Sequence, residues 1–394
     1  MTIVRRLGDE GVRLFFPLSA LHAALWPLLW TALHGLSLPL AHQMPPGIWH
    51  ATEMILGTYG AALIGFITTA VPEWSDTPRL RGRGLYILAG CWLIARLVGL
   101  LGADALAWLG LIADGAWLVF LPLYLVAVAR KRGTEHLFGF LIWLAALATA
   151  GIAARMAMAL NDPETALMLL RIAGLVFLGL LGLALSRITV PVTNLVLDPS
   201  QASSPYRPHP GRRNLAPALI AVILTGELLG LSSGVTGWLF IAAGAAFIDR
   251  VGEAFVGREG LRIEILALAG SSLFSGIGLI LVGAARLGAP FAEIPGLHLA
   301  LMGGLGLGVM TVFAIAGLMH TGRTLPFPRG MGSALLLLIV AVLLRVLPDL
   351  HITPAPPGPP YAVAALFWSV GFLVWLRLYW PFLSGGAADD AARC

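Results

Sequence analysis

The chain has 394 residues, of which 58% are hydrophobic and only 11% charged, with a mean hydropathy of +0.87. That usage lies far from the soluble norm and excludes a soluble globular enzyme. The formal charge of +5 does not point to nucleic acid, because the arginines stand in short segments between apolar runs and form no continuous basic face. Cys91 and Cys394 are too few for a cysteine-based zinc site or an iron–sulfur cluster, so any metal must be held by His, Met, carboxylate or a porphyrin.

A helix needs about 20 apolar residues to cross a bilayer, and runs of that order recur along the chain. The first half predicts spans near 14–35, 49–71, 85–102, 106–129, 136–158 and 165–186; the second predicts 214–231, 234–249, 264–285, 296–319, 331–347 and 361–382. The opening run is too long for a signal-peptide core and has no small-residue cleavage site behind it, so it counts as a span. The expected fold is an all-α polytopic transmembrane bundle of about twelve spans in a single domain, 1–394. Thr69-Ala70-Val71-Pro72, Thr189-Val190-Pro191 and Thr324-Leu325-Pro326 close or follow spans 2, 6 and 10, an echo every four spans that hints at three four-helix arcs.

Nearly all cationic residues fall at one set of span ends: Arg5, Arg6, Arg13; Arg79, Arg81, Arg83; Arg130, Lys131, Arg132; Arg207, Arg212, Arg213; Arg250, Arg258, Arg262; Arg323 and Arg329. Basic residues near span ends are retained in the cytoplasm, which predicts a multi-pass protein of the bacterial inner membrane with both termini cytoplasmic.

His50 opens span 2 and His298 opens span 10, both at the outer edge, so imidazoles at one depth on two helices could clamp a flat haem as axial ligands. His320 closes span 10, roughly 33 Å farther along at 1.5 Å per residue, and belongs to a different site. Glu53 and Met54, at i+3 and i+4 from His50, offer a carboxylate to orient an imidazole and a soft thioether. Arg96, Arg155, Arg171, Arg286 and Arg345 fall in the outer halves of their spans, with Glu53 and Asp114 the only comparably placed acids. That excess of cations would be balanced by a dianion such as two haem propionates, with Arg96, Arg155 and Arg345 the expected partners. Glu227 reads as a lone acid within span 7, either a structural acid or a step in a proton path. His320-Thr321-Gly322-Arg323 is a compact polar cluster that could hold an anion or stitch loops together. Motifs for nucleotide binding, metalloprotease or serine-hydrolase chemistry are absent from the sequence.

These residues resemble the NnrS family of multi-span membrane proteins. The resemblance is carried by Arg13-Leu14-Phe15-Phe16-Pro17, by Trp49-His50 through Glu53-Met54, by Thr69-Ala70-Val71-Pro72-Glu73-Trp74, by Arg96, and by His298, His320-Thr321-Gly322-Arg323, Arg345 and Tyr379-Trp380-Pro381. It implies bound haem b, copper, and a link to nitric oxide in denitrifying or NO-exposed bacteria, with an electron donor as a further partner; it implies no particular reaction. The copper is the weaker implication. Position 52 is Thr52 where the family pattern reads His-x-His, and Ala269 stands near a family histidine. Twelve spans with histidines on the second and tenth also resemble the architecture of haem-copper oxidase catalytic subunits. The sequence therefore predicts a haem-binding inner-membrane protein of the nitrosative-stress response; the alternative is a transporter without a redox cofactor.

Overall fold

A computed structural model describes residues 2–133 and 137–385; His136 and Cys394, both noted in the sequence, lie outside them. Among the described residues there are helices and connecting turns and no strand. Every predicted span is helical. Ten helices are long and apolar enough to cross a bilayer: α1 Gly11–Leu33, α2 Pro46–Ser75, α3 Arg83–Leu101, α4 Asp104–Arg132, α5 Phe138–Ala159, α6 Pro163–Leu197, then, past the shorter α7 Leu215–Leu228, α8 Ser233–Ala254, α9 Ile263–Arg286, α10 Glu293–Met319 and, past the shorter α11 Met331–Val346, α12 Ala362–Ser384. The chain is therefore an all-α polytopic membrane protein, because helices satisfy every backbone polar group within one segment.

Glycine and polar residues mark the breaks between helices. Gly102 and Gly133 follow α3 and α4 with φ near +59°, the left-handed conformation that ends a helix without a Cβ clash. Three stretches widen into π-helix: Leu29–Leu33 after Pro27 in α1, Glu53–Tyr59 in α2 and Leu299–Gly306 in α10. The last two begin within three residues of His50 and His298, so both histidines stand just ahead of a changed angular register.

Two compact units emerge. Unit 1 comprises residues 1–174, 316–323 and 372–394, and unit 2 comprises 175–315 and 324–371. In unit 1, α1 packs on α2, α3 on α4, and α4 on α5. In unit 2, α9 lies against both α8 and α10. Glycines bring α8 and α9 together: a Cβ on Gly244 would lie 2.5 Å from the Gly276 carbonyl oxygen, and one on Gly276 would lie 2.6 Å from that of Gly244. One heptad along, a Cβ on Gly283 would lie 2.5 Å from the Gly237 carbonyl. Small residues substitute for the hydrophobic driving force that helices lack inside lipid.

Candidate functional site

Unit 1 encloses a cluster of charge contributed by five helices. On α1, His22, Trp26 and Trp30 recur at i, i+4 and i+8 and so share one face. On α3 the stripe is Trp92, Arg96 and Gly99; on α4 it is Gly110, Asp114 and Trp117, both at i, i+4, i+7. Glu53 comes from the π stretch of α2, and Arg155 from α5. His22, Glu53, Arg96, Asp114 and Arg155 are all buried, Glu53 and Asp114 completely.

The hydrogen bonds tie these groups into one network. Arg96 donates from Nη1 to Glu53 Oε1 at 2.8 Å and from Nη2 to both oxygens of Asp114 at 2.6 and 2.7 Å. Arg155 Nε donates to Asp114 Oδ2 at 2.7 Å, and its Nη2 lies 2.6 Å from the same oxygen, in ion-pair contact off the line of a hydrogen bond. Trp117 Nε1 donates to Asp114 Oδ1 at 2.8 Å. His22 bridges Glu53 Oε2, 3.0 Å from Nε2, and the Thr58 hydroxyl, 2.9 Å from Nδ1. The neutral ring therefore carries its proton on Nε2 for the carboxylate and accepts the Thr58 hydroxyl at Nδ1. Two guanidiniums face two carboxylates, so the charges balance and each is hydrogen-bonded, the condition under which ions are tolerated away from water. Arg155 Nη1 has no acceptor among the described residues.

Glycines make the space. A Cβ on Gly99 would overlap the Glu53 carboxylate, and one on Gly57 would come 2.7 Å from both Arg96 Nη1 and His22 Cε1.

His50 stands above this network with its ring stacked on Trp30 at 3.8 Å and its Nδ1 accepting from Trp26 Nε1 at 3.2 Å. Trp26 also stacks on His22 at 6.4 Å, so an aromatic step joins His50 to the charge cluster. In unit 2, half-buried His298 donates from Nδ1 to the Ile294 carbonyl at 3.0 Å. Arg345 pairs with Asp349 and lies over the Tyr361 ring at 4.0 Å.

Several sequence expectations change at this level. Glu53 does orient an imidazole, that of His22 on α1, across from its own helix. Met54 is half-buried in the same stretch. Four of the five arginines expected in outer halves of spans pair with acids inside the chain: Arg96 and Arg155 with Glu53 and Asp114, Arg345 with Asp349, and Arg286 with Glu227 and Glu293. Glu227 is not a lone acid within its span; it stands in the last turn of α7, bonded to Arg286, whose Nη1 also donates to Thr236 Oγ1 at 2.9 Å. His320 and Arg323 lie in unit 1, His320 facing Glu10 at 2.8 Å and Arg323 over the Phe382 ring at 4.2 Å. His22 and Thr58 had not been recognised as site residues, although the stripe of His22, Trp26 and Trp30 was visible in the sequence.

An all-α bundle with membrane-length helices and a buried, charge-balanced network defines a polytopic integral membrane protein with a polar core in its N-terminal half. Residues 6–386 match the NnrS protein family, and the chain belongs to it. No curated protein and no solved structure matches the chain.

Proposed function

We propose that the protein binds haem b in the inner membrane and serves the nitric oxide response, with an electron donor as its partner. Family membership supports the link to nitric oxide. The observation that carries the haem is the state of His298: its Nδ1–H is committed to the Ile294 carbonyl, which leaves the Nε2 lone pair for iron. His298 thus fits as an axial ligand. His50 fits once one hydrogen bond is exchanged, because accepting at Nδ1 from Trp26 places the proton of a neutral ring on Nε2. Copper has little support at His50, since the rings stacked on it are the indoles of Trp26 and Trp30, which are not metal ligands.

Bound haem would supply a redox-active iron. The chain's own residues orient the ligand ring through Ile294, stack on His50 through Trp30, and pair Arg96 and Arg155 with Glu53 and Asp114. The charge asymmetry of the loops supports cytoplasmic termini. A transporter without a cofactor, the alternative, loses its anchor when Glu227 is paired with Arg286 at a helix end.

Oxidised and dithionite-reduced visible spectra of the purified chain test the haem. Protein made with ample haem should show sharp reduced bands, His298→Ala should abolish or convert them, and Trp26→Phe should favour ligation by His50. A featureless wild-type spectrum, or one unchanged in His298→Ala, overturns the assignment.

A further inference from the structure

A second polar cluster in unit 1 gathers at the end of α2 remote from His50. Glu10 precedes α1, Glu73 lies near the end of α2, and His320 follows α10. Their ligand atoms, one from each, lie within 4.8 Å of one another. We propose that Glu10, Glu73 and His320 bind one divalent first-row metal ion, with Arg79 the counter-ion that it displaces.

Two carboxylates and an imidazole are hard-to-borderline donors that suit Mn, Fe, Co or Zn. Metal–oxygen and metal–nitrogen bonds of about 2.0–2.2 Å separate ligand atoms by at most about 4.4 Å, so closure of a few tenths of an ångström completes the site. The bottom of the site is built before any ion arrives. Glu10 is buried and His320 half-buried, at 3% and 10% side-chain exposure. Arg13 Nη2 donates to the His320 carbonyl at 3.2 Å and its Nη1 to that of Leu383 at 2.8 Å, while the Val12 amide donates to Thr69 Oγ1 at 3.0 Å. These bonds hold the backbone at His320 and just after Glu10 from outside the cluster.

The open side is the exchangeable one. Arg79 reaches Glu10 at 2.6 Å and Glu73 at 3.0 Å, yet Arg79 and Glu73 are 34% and 43% exposed and able to swing outward. With a neutral imidazole, Arg79 offsets only one of the two carboxylates. The neighbouring Arg323 is engaged on the Thr321 carbonyl at 2.9 Å and the Phe382 ring, while Arg13 spends its donors on backbone carbonyls and meets Glu10 only through longer-range charge attraction. A divalent ion in place of Arg79 balances both carboxylates.

The test is titration of the detergent-purified full chain, stripped with a chelator and free of haem, with Co2+ followed by visible absorption and with Zn2+ in competition. The expected result is one ion per chain, lost in Glu10→Gln and His320→Ala. Glu73→Gln, at an exposed position, should weaken binding roughly tenfold or more with little change in the thermal midpoint. Arg79→Gln is decisive, because removing a competing cation should tighten binding. No stoichiometric binding by the wild type, full binding in His320→Ala, or equal or weaker binding in Arg79→Gln would each show an ion-pair cluster only. The haem is absent from this measurement, so its outcome is separate from the reading above.

Discussion

Single residues in the buried network are coupled because each ion is satisfied by the others. Asp114 accepts from Arg96, Arg155 and Trp117, so Asp114→Asn leaves two guanidiniums facing one carboxylate. Breaking a buried pair from one side costs about 3–5 kcal/mol, and thermal unfolding in detergent should show a loss on that scale. Replacing Glu73, which meets Arg79 at the surface, should cost about 1 kcal/mol or less. A different residue-scale effect is expected outside the spans. Asp198, in the segment after α6, accepts from the hydroxyls of Ser200 and Ser203 and from the Ser203 amide, which hold its carboxyl down at about 2. A lowered folded-state value means that the local order is fully present above the ordinary carboxylate range and is lost as pH falls through about 2. Hydrogen exchange at the Ser203 amide should therefore stay protected at pH 4 and lose protection near pH 2, and Asp198→Ala should remove it at every pH.

At the scale of elements, close approach decides what fits. Gly276 of α9 faces the Gly244 carbonyl of α8, so Gly276→Val must push the helices apart and should cost about 1–3 kcal/mol, read as a lower thermal midpoint and faster proteolysis. Gly99→Ala acts on chemistry as well as packing, since its methyl would take the place of the Glu53 carboxylate. The α-helices were legible because long apolar runs have few other solutions in a bilayer. The π stretches in α2 and α10 were not. A helix that widens by a residue in one turn keeps the same apolar composition, and the shift shows only in the structure.

For the whole molecule, the distribution of arginines along the sequence predicts both termini on one side of the membrane. Cysteine-accessibility labelling at residues before Gly11 and after Ser384 should give the same sidedness, and labelling near Asp162 the opposite. Composition by itself determines that this chain lives in a membrane and roughly where its helices run, because the hydrophobic term that sets those features acts along the chain. Pairing is another matter. Arg96 and Arg155 look like surplus charge until Glu53 and Asp114 are brought to them, Glu227 looks solitary until Arg286 arrives from α9, and Glu10 meets His320 across 310 positions. Ionic and hydrogen-bonding partners are chosen through space, over a few ångströms between helices distant in sequence, and only the tertiary structure decides them.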